Sequence, residues 1–474
     1  MPVLIDHKII QTVKETAAKL QLNVYLVGGA VRDIILNRGC VTDVDFVVDK
    51  DLDRFVTDFC KLVSGKIVEW SDKDRRVFYK QKDTFTHVDF AAMTGLNITD
   101  DLMNRDITVN AIAININRLD AFSPQYLIDP ANALQDIQNR KIKACGPRSF
   151  INDPVRILRA LRFARKFNYR IPSETLVLMR EAADLINRPA IERVKKEFFI
   201  LLDQNHPEKS IRQMDEIGVL TRLIPEISQF KGLSPGQLHH QDLFNHSICT
   251  VAELPAAEKR ISSLPAGKFI ISEFSPQQQI EEGITRKSLL VLTALLHDSG
   301  KTMTRQNNGR SKTHYGHETA GMDLNREICK NIGLGKKGQA MVATMTRHHM
   351  RVLHLSLQDK LTERAMKRFI DAAADLFFEL LLLSVADSMA IGRSPNPDRI
   401  IDVISNILDI YRRDKGRVSF TPLLNGNDII RMTGLRNSPQ IGQLLNKLCE
   451  LESSGTINTR EEALAWLKKN KNIA

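Results

Sequence analysis

A short apolar strand, two glycines and a helix follow one another near the start of the chain, and this unit limits the fold more than any other feature. Residues 23–27 are typical of a strand, which Gly28 and Gly29 end, and residues 30–37 are typical of a helix. Glycine lets backbone N–H groups approach a ligand closely, and the positive end of the next helix favours an anion there. The chain is therefore predicted to begin with an α/β segment that can hold phosphate.

Two aspartates, Asp43 and Asp45, stand at the start of the next predicted strand, residues 44–48. Alternate side chains share a face of a strand, so the two carboxylates point the same way and repel each other unless a cation lies between them. Mg²⁺ prefers oxygen ligands and keeps substrate phosphates in its coordination shell. Such a pair alone is more typical of a solvated acidic turn, but after a glycine turn and a helix it favours a metal site.

A third carboxylate would complete a two-metal site, and Asp89 is the best candidate. It lies within the apolar strand-like run 85–91, where an acid needs a physical reason. The alternative is an edge-strand acid that faces water.

The pattern of the chain changes after residue 130. Before it, a helix is predicted at 8–20, with further strands at 65–70, 76–81, 85–91 and 110–117. After it the pattern is helical, with a long loop or insertion at 259–286 and a linker at 393–400. The predicted fold class is α+β, with a small mixed or antiparallel sheet followed by helical segments.

Composition narrows the class of protein. A hydrophobic content of 43% is ample for a core, and the 474 residues contain no apolar run long enough to span a membrane. The six cysteines show no CxxC spacing, which favours a reduced, cytoplasmic protein, and the N-terminus has no export signal. The net charge of +11 suits a polyanionic partner, although many basic proteins bind no nucleic acid.

A second polar motif follows at residues 104–111, Asn-Arg-Asp-Ile-Thr-Val-Asn-Ala. Arg105 has the chemistry to clamp a phosphate, and Asp106 can accept a hydrogen bond from a ribose hydroxyl. Alone, the motif would be read as a capped turn before a strand.

Together these motifs resemble a known family. The order and spacing of residues 28–33 (Gly-Gly-Ala-Val-Arg-Asp), 43–45 (Asp-Val-Asp) and 104–111 resemble the first two motifs of the class II tRNA nucleotidyltransferases and bacterial poly(A) polymerases. Residues 153–164 resemble the family's nucleotide-selecting helix, 191–202 its neck-closing helix and 425–435 its tail. The resemblance implies transfer of C and A from CTP and ATP to the 3′ end of tRNA, with Mg²⁺ in the head. It implies these nucleotide-binding residues: Gly28, Gly29, Arg32, Arg105, Asp106, Asn110, Asp153, Arg156, Arg159 and Arg162.

The chain departs from the family pattern at three positions. Asn104 replaces a second arginine, Asn152 replaces the glutamate before the selecting aspartate, and Ala133 replaces a glycine. The first two bear on nucleotide specificity and the third on hinge flexibility.

The selecting pair has a physical logic. Asp153 and Arg156 are three residues apart at a helix start, so their side chains are neighbours. The carboxylate only accepts hydrogen bonds and the guanidinium only donates them. Cytosine and adenine present an amino donor beside a ring acceptor, whereas uracil and guanine present the reverse, so the pair admits C and A. The alternative is a helix cap beside a surface arginine.

His246, the pair His297-Asp298 and the later Asp387 form a second constellation. It resembles the HD phosphohydrolases, in which His, His-Asp and a later Asp gather from separate helices around a metal. Eight of the twelve histidines fall between residues 239 and 349, a clustering that chance does not explain. A degenerate HD domain kept as a scaffold is the alternative. The predicted ligands of Mg²⁺ or a transition metal are His246, His297, Asp298 and Asp387, with His317 and His349 as further candidates.

The sequence thus predicts four segments and one main activity. The segments are a nucleotidyltransferase head (1–118), a helical neck and body (119–235), an HD-type domain (236–395) and a tRNA-binding tail (396–474). The main activity is CCA addition to tRNA. CC addition alone, A addition alone, poly(A) synthesis, and a phosphohydrolase of 2′,3′-cyclic or 2′-phosphates remain alternatives.

Overall fold

The computed structural model divides into two compact units. One comprises Met1–Pro255, Pro276–His349 and Ala386–Ser394, and the other comprises Ala256–Ser275, Met350–Val385 and Pro395–Ala474. The division into four segments stays a prediction. The structure describes residues 7–37, 44–71, 73–81, 84–119, 123–234, 241–268, 274–304, 306–308, 311–391, 397–415, 423–433, 441, 444–445, 447–448, 451, 457 and 459–469. Asp43 and part of the tail motif at 425–435 lie outside these residues.

A seven-stranded mixed sheet forms the head, so the fold class is α+β as predicted, with a sheet that is larger than expected. Its strand order is β3-β4-β5-β2-β1-β6-β7; β2 and β5 run parallel, and the other neighbours run antiparallel. The strands are β1 (Val24–Val27), β2 (Asp45–Val48), β3 (Lys66–Ser71), β4 (Asp74–Gln81), β5 (Thr84–Ala92), β6 (Ala113–Asn115) and β7 (Leu127–Ile128).

Alternation along the strands gives the sheet two faces. One face packs on helices α1 (His7–Leu20) and α3 (Leu52–Val63), with Phe46, Phe59 and Phe90 in its core. The rings of Phe59 and Phe90 meet edge to face with centroids 4.9 Å apart. The other face carries Val27 and Val47 and packs on α4 (Ile98–Met103). Asp45 has the same parity as Val47, so it emerges on the second face.

Short helices connect the strands of the head to the helical part of the chain. Helix α2 (Gly29–Ile35) follows the glycine turn, and α5 (Ala133–Gln138) and α6 (Ser149–Asn152) follow β7. The strand predicted at 110–117 is shorter than expected, because 3₁₀ turns at Thr108–Asn110 and Ile116–Arg118 flank β6. Ala133 is the first residue of α5, and the left-handed φ of 57° falls on Asn132, so alanine causes no backbone strain at 133.

Helices dominate after residue 150. Those of the neck and body are α7 (Val155–Phe167), α8 (Ser173–Ala182), α9 (Ile191–Asp203), α10 (Pro207–Ile217) and α11 (Val219–Leu223). Next come α12 (Leu243–Ser262), α13 (Arg286–Leu296), α14 (His317–Asn331), α15 (Lys336–His348), α16 (Arg351–Ser356), α17 (Glu363–Ala373) and α18 (Phe377–Ala390). The last are α19 (Pro397–Lys415), α20 (Gly426–Thr433) and α21 (Arg460–Lys469).

Two sequence predictions need correction in this part. The segment predicted as a loop at 259–286 begins within α12 and contains two short paired strands, β8 (Gln279–Glu281) and β9 (Ile284–Thr285). The linker predicted at 393–400 ends early, because α19 begins at Pro397, and proline suits the first turn of a helix. Two further paired strands are β10 (Gln306–Asn308) and β11 (Ser311–Thr313). Within the described residues, no helix combines the length and the apolar character that a membrane crossing requires.

Candidate functional site

Three charged side chains form a row across neighbouring strands of the head. Asp45 on β2 is in register with Asp89 on the parallel strand β5, and Asp89 is in register with Arg76 on β4. Residues in register point to the same face and lie about 4.5–5.5 Å apart at Cβ. The Arg76 guanidinium donates two hydrogen bonds to Asp89, from Nε to Oδ1 and from Nη2 to Oδ2, each 2.6 Å long.

This row lines a pocket of about 350 Å³. Arg105, from the motif at 104–111, lines the same pocket, as do Asp74 and Arg75. The pocket thus combines oxygen-only metal ligands with guanidinium groups. Such a donor set fits a hard cation such as Mg²⁺ and the phosphates that accompany it. Arg76 was not identified from the sequence.

The glycine turn lies against Arg105. Gly28 has a φ of +66°, a conformation that favours glycine, and its N–H donates to the carbonyl of Ile112 at 2.9 Å. A Cβ atom at Gly28 would lie 3.1 Å from Nη1 of Arg105. The turn therefore favours glycine, and the absence of a Cβ leaves room for this arginine, whose Nη2 also lies 3.3 Å from Asp101.

A buried polar network joins the two head motifs to helix α7. Arg32, only 3% exposed, donates to Oδ1 of Asn110, and its guanidinium stacks 4.4 Å from the ring centre of Phe167. Asn110 Nδ2 donates to Asp106, and Oδ2 of Asp106 accepts from Nε of Arg159 at 2.9 Å. The structure thus places these four predicted nucleotide-binding residues in one network that holds the head against α7.

Charge compensation keeps Asp106 ionised inside this network. Burial raises the pKa of its carboxyl, but the Arg159 guanidinium and the N–H of Ile107 outweigh burial, so the net shift is downward. For Arg159, burial lowers the pKa, and the nearby Asp106 and Glu197 carboxylates raise it above its ordinary value. Both groups therefore stay charged near neutral pH.

The predicted selecting pair lies at the entrance of α7. Oδ1 of Asp153 accepts from the N–H of Val155, the first residue of α7, at 3.3 Å. The cap position itself falls on Pro154, one residue later than predicted. Arg156 Nη1 donates to the carbonyl of Arg105 at 3.0 Å, and its Nε lies 3.9 Å from Asp153. Because both side chains are only about one-fifth exposed, the pair is held in place and yet reachable.

Two residues of α9 support this region and were not identified from the sequence. Arg193 Nη2 donates to Oδ2 of Asp153 at 2.7 Å. Glu197, 7% exposed, lies 2.8 Å from Nε of Arg162 and 3.6 Å from Nη1 of Arg159. The sequence offered one signal: an acid at a position where the helix otherwise presents apolar side chains to the core.

The second predicted constellation also comes together, from five separate elements. His246 Nε2 lies 3.0 Å from Oδ1 of Asp387 and 3.8 Å from Oδ2 of Asp298. His297 Nε2 lies 3.4 Å from Oδ2 of Asp298 and 3.5 Å from Oδ1 of Asp387. His317 and His349 place their Nε2 atoms 3.2 Å and 3.5 Å from Oδ1 of Asp298.

The histidine rings of this cluster share one orientation. Nδ1 of His297, His317 and His349 each meets the carbonyl three residues earlier, at 2.9, 2.9 and 2.7 Å. A carbonyl only accepts, so each Nδ1 carries a proton, and each Nε2 points toward the carboxylates. Hydrogen bonds from Nδ1 to carbonyls orient imidazole rings for metal binding in this way, and a bound cation would take the place of any proton on Nε2, so the residues fit a divalent cation.

Close packing holds the cluster in place. Gly300 lies so near α14 that a Cβ atom there would come within 2.0 Å of the carbonyl oxygen of His317. Asn325, fully buried, donates to the Leu296 carbonyl at 3.0 Å and to Thr346 at 2.8 Å. Lys301 Nζ lies 2.5 Å from Asp298. Gly300 and Lys301 belong to the sequence pattern that resembles the HD phosphohydrolases, whereas Asn325 was not identified from the sequence.

The cluster shifts the titration of its own members. Burial lowers the pKa of His297, but Asp298 and Asp387 outweigh it and raise the pKa to about 10. Burial opposes ionisation of both carboxyls, yet Lys301 and His297 beside Asp298, and His246 and His297 beside Asp387, hold both pKa values well below the ordinary range. Strongly compensated buried charge of this kind is typical of a functional site.

Three segments of the chain match known protein families. Residues 24–143 match the poly(A) polymerase head domain, residues 168–231 match a probable RNA and SrmB-binding site of polymerase A, and residues 275–390 match the HD domain.

Similar proteins cover most of the chain. The A-adding tRNA nucleotidyltransferase of Deinococcus radiodurans is 27% identical over 455 residues, which cover 94% of each chain. The multifunctional CCA protein of Azoarcus sp. is 30% identical over 340 residues, 69% of this chain and 74% of that relative. A solved structure of the Thermotoga maritima CCA-adding enzyme complexed with tRNA superposes with a TM-score of 0.60 at 20% identity, over 98% of this chain and 95% of that one. The last likeness shows that the fold is shared.

Proposed function

This chain belongs to the class II tRNA nucleotidyltransferase and poly(A) polymerase family, and we propose that it adds C and A from CTP and ATP to the 3′ end of tRNA. The observation that carries the proposal is the pocket of the head, where Asp45 and Asp89 stand side by side with Arg105. Carboxylates next to guanidinium groups suit the metal-bound triphosphate that this reaction consumes.

We propose Asp43, Asp45 and Asp89 as the ligands of two Mg²⁺ ions. When bound, such ions lower the pKa of the RNA 3′-hydroxyl and stabilise the charge on the leaving pyrophosphate. The side chains around them bind and orient the substrate. Gly28 and Gly29 let backbone N–H groups approach the phosphates, and Arg105, which lines the same pocket, supplies positive charge.

Base selection is proposed for Asp153 and Arg156. The carboxylate accepts from the amino group of cytosine or adenine, and the guanidinium donates to the neighbouring ring nitrogen. Arg193 holds Asp153 from outside the pair. Arg32, Asn110, Asp106 and Arg159 contribute to nucleotide binding by fixing this helix against the head motifs, and Arg162 contributes by fixing it against Glu197 of α9.

One experiment distinguishes CCA addition, CC addition and A addition. Purified protein is incubated with Mg²⁺ and with CTP, ATP or both, on tRNAs that end before CCA, after the first C or after CC. Full CCA activity elongates every acceptor to the same end, whereas an A-adding enzyme uses only the tRNA that ends in CC. Asp45→Ala is the control, because it removes a proposed ligand that is partly exposed and contributes little to the core. Incorporation near the wild-type rate in Asp45→Ala would contradict the site.

We also propose a second activity, hydrolysis of 2′,3′-cyclic or 2′-phosphates at the HD cluster. The convergence of His246, His297, His317 and His349 on Asp298 and Asp387 favours this activity over a scaffold role. These residues would hold a transition metal or Mg²⁺, which supplies Lewis acidity and a nucleophilic water when bound.

Paired variants separate the two activities. His297→Ala with Asp298→Ala should abolish metal-dependent hydrolysis of 2′,3′-cyclic AMP and spare CMP addition. His354→Ala, an exposed histidine outside the cluster, is the matched control. Loss of both activities in a folded double variant would contradict separate sites.

Two broader expectations accompany these proposals. We propose that the basic neck and tail surfaces hold the tRNA acceptor arm through phosphate contacts, in keeping with the net charge of +11. We propose a cytoplasmic location, which the free cysteines Cys60, Cys145, Cys249 and Cys329 support, since reduced thiols persist there.

A further inference from the structure

Arg76 has a contact that the proposed metal site does not explain. Its guanidinium holds both oxygens of Asp89 at 2.6 Å, in the fork geometry that arginine uses for carboxylates and phosphates alike. The Arg76 side chain is 25% exposed and that of Asp89 is 32% exposed. Both charged groups therefore remain accessible to ligands that enter the pocket.

The neighbouring arginine shows what a structural arginine looks like on the same strand. Arg75 is 8% exposed, and it donates to Asp53 at 2.8 Å and to the backbone carbonyls of Ser71 and Asp74. Because main-chain carbonyls hold their positions in the folded chain, these hydrogen bonds fix the Arg75 side chain. Arg76, in contrast, pairs with Asp89, which is itself a proposed ligand of Mg²⁺. A bound metal would therefore compete with Arg76 for this carboxylate.

The two roles of Asp89 compete with each other. Each of its oxygens accepts one hydrogen bond from Arg76, so a cation that coordinates through these oxygens competes with the guanidinium for the same carboxylate charge. The displaced group stays in the pocket of about 350 Å³ that Asp45 and Arg105 also line. The triphosphate brings negative charge into that pocket together with the metal, and guanidinium binds phosphate through the same fork.

We infer that Arg76 is an exchangeable counter-ion, which pairs with Asp89 before substrate binds and transfers to the triphosphate when the metal takes Asp89. This inference rests on the proposed nucleotidyl transfer. It makes Arg76 a phosphate-binding residue and links metal binding to nucleotide binding: the metal alone competes with an internal cation, whereas the metal with CTP or ATP gives that cation a new partner. The metal should therefore bind weakly without nucleotide and more tightly with it.

The test measures Mn²⁺ binding directly, in the full-length protein without tRNA, so that no turnover occurs. Mn²⁺ is titrated into wild type and Arg76→Gln by calorimetry, first alone and then with CTP. Asp45→Asn identifies which part of the signal belongs to the head, because the HD cluster also offers metal ligands. Arg118→Gln, an exposed arginine of the same unit that does not line the pocket, is the matched control.

Loss of Arg76 should strengthen the binding of metal alone and weaken the binding of nucleotide. In Arg76→Gln, the affinity for Mn²⁺ alone should rise about tenfold or more. In a separate nucleotide-addition assay with a tRNA acceptor, the KM for CTP and ATP should rise by about 10- to 100-fold, as expected for one charged hydrogen-bonding group lost. Arg76→Lys keeps the charge without the fork, so its Mn²⁺ affinity should lie between those of wild type and Arg76→Gln. This conservative variant also decides the matter if Arg76→Gln fails to fold.

Unchanged or weaker Mn²⁺ binding by the folded variants overturns the inference, as does an unchanged KM. Failure of the proposed function gives a different result. In that case wild type adds neither C nor A to any tRNA acceptor, while the calorimetric comparison of Mn²⁺ and CTP binding still decides the role of Arg76.

Discussion

The ion pair between Asp106 and Arg159 allows a quantitative prediction, because it joins the head to helix α7. Asp106→Asn keeps the size of the side chain and removes its charge. A hydrogen bond between charged groups contributes about 1.5–3 kcal/mol, and the 36% exposure of the Arg159 side chain places this one in the lower half of that range. We therefore expect the free energy of unfolding to fall by about 2 kcal/mol in Asp106→Asn.

A double-mutant cycle isolates the pair from its surroundings. Urea unfolding of wild type, Asp106→Asn, Arg159→Gln and the double variant gives the coupling free energy, which we expect to be about 1.5–2 kcal/mol at pH 7. The variants should also bind CTP and ATP more weakly, since Asp106 holds the segment that carries Arg105. A coupling free energy below about 0.5 kcal/mol would refute the reasoning, because residues in one network couple by at least that much.

The pH dependence of the coupling follows from the lowered pKa of Asp106. In the folded protein this carboxyl loses its proton at a lower pH than in the unfolded chain, whose value is near 3.8. The stabilisation is therefore fully present above about pH 3.8 and is lost as the pH falls through the lower, folded pKa. The coupling should be constant between pH 7 and pH 5 and should shrink only in strong acid. A decline already at pH 6 would point to a different titrating group.

Three further outcomes are expected. Arg156→Ala should reduce discrimination of CTP against UTP by about one to two orders of magnitude in a competition assay, since one charged donor is lost; an unchanged preference would place selection elsewhere. Gly300→Ala should lower the free energy of unfolding by about 3 kcal/mol in urea, because its Cβ would meet the His317 carbonyl at 2.0 Å. Gly321→Ala, with no contact below 3.1 Å, should cost clearly less, and equal losses would argue against this cause. Removal of bound metal by EDTA should lower the melting temperature of wild type but not of Asp387→Asn, and equal shifts would exclude a stabilising metal at this cluster.

Local patterns were enough to predict most of the head. The run 23–27 ends at two glycines because the backbone must turn there, and both glycine and strand alternation leave a mark in the sequence within a few residues. The same holds for Asp45, which was identified from its spacing to Asp43 after the glycine turn, and for Asp89, which is an acid within an apolar strand. The parallel register that brings these two acids together, however, depends on sheet order, which no local pattern records.

The contacts of the head and neck that sequence reasoning missed depend on long-range pairing. Arg75 and Arg76 are adjacent and chemically identical, and only the register of β4 against β5 shows that Arg76 meets Asp89. Glu197 on α9 pairs with Arg159 and Arg162 on α7, which lie 38 and 35 positions earlier in the chain. The sequence periodicity of α7 predicts its apolar face but not the partners of its arginines. Arginine is ordinarily exposed, so the 3% exposure of Arg32 could not be expected from its surroundings in the sequence.

Helix α9 limits how separate the two proposed activities can be. Glu197 and Arg193 reach toward the nucleotide-selecting helix, whereas Lys195 donates to the Gly333 carbonyl at 2.8 Å. At the end of α9, Asp203 accepts from Oγ1 of Thr285 at 2.8 Å, just before the helix that leads to the HD cluster. Substitutions of the cluster ligands leave these contacts intact and should spare nucleotidyl transfer. Substitutions at Thr285 act on α9 itself, so both activities are expected to respond even though neither set of ligands has changed.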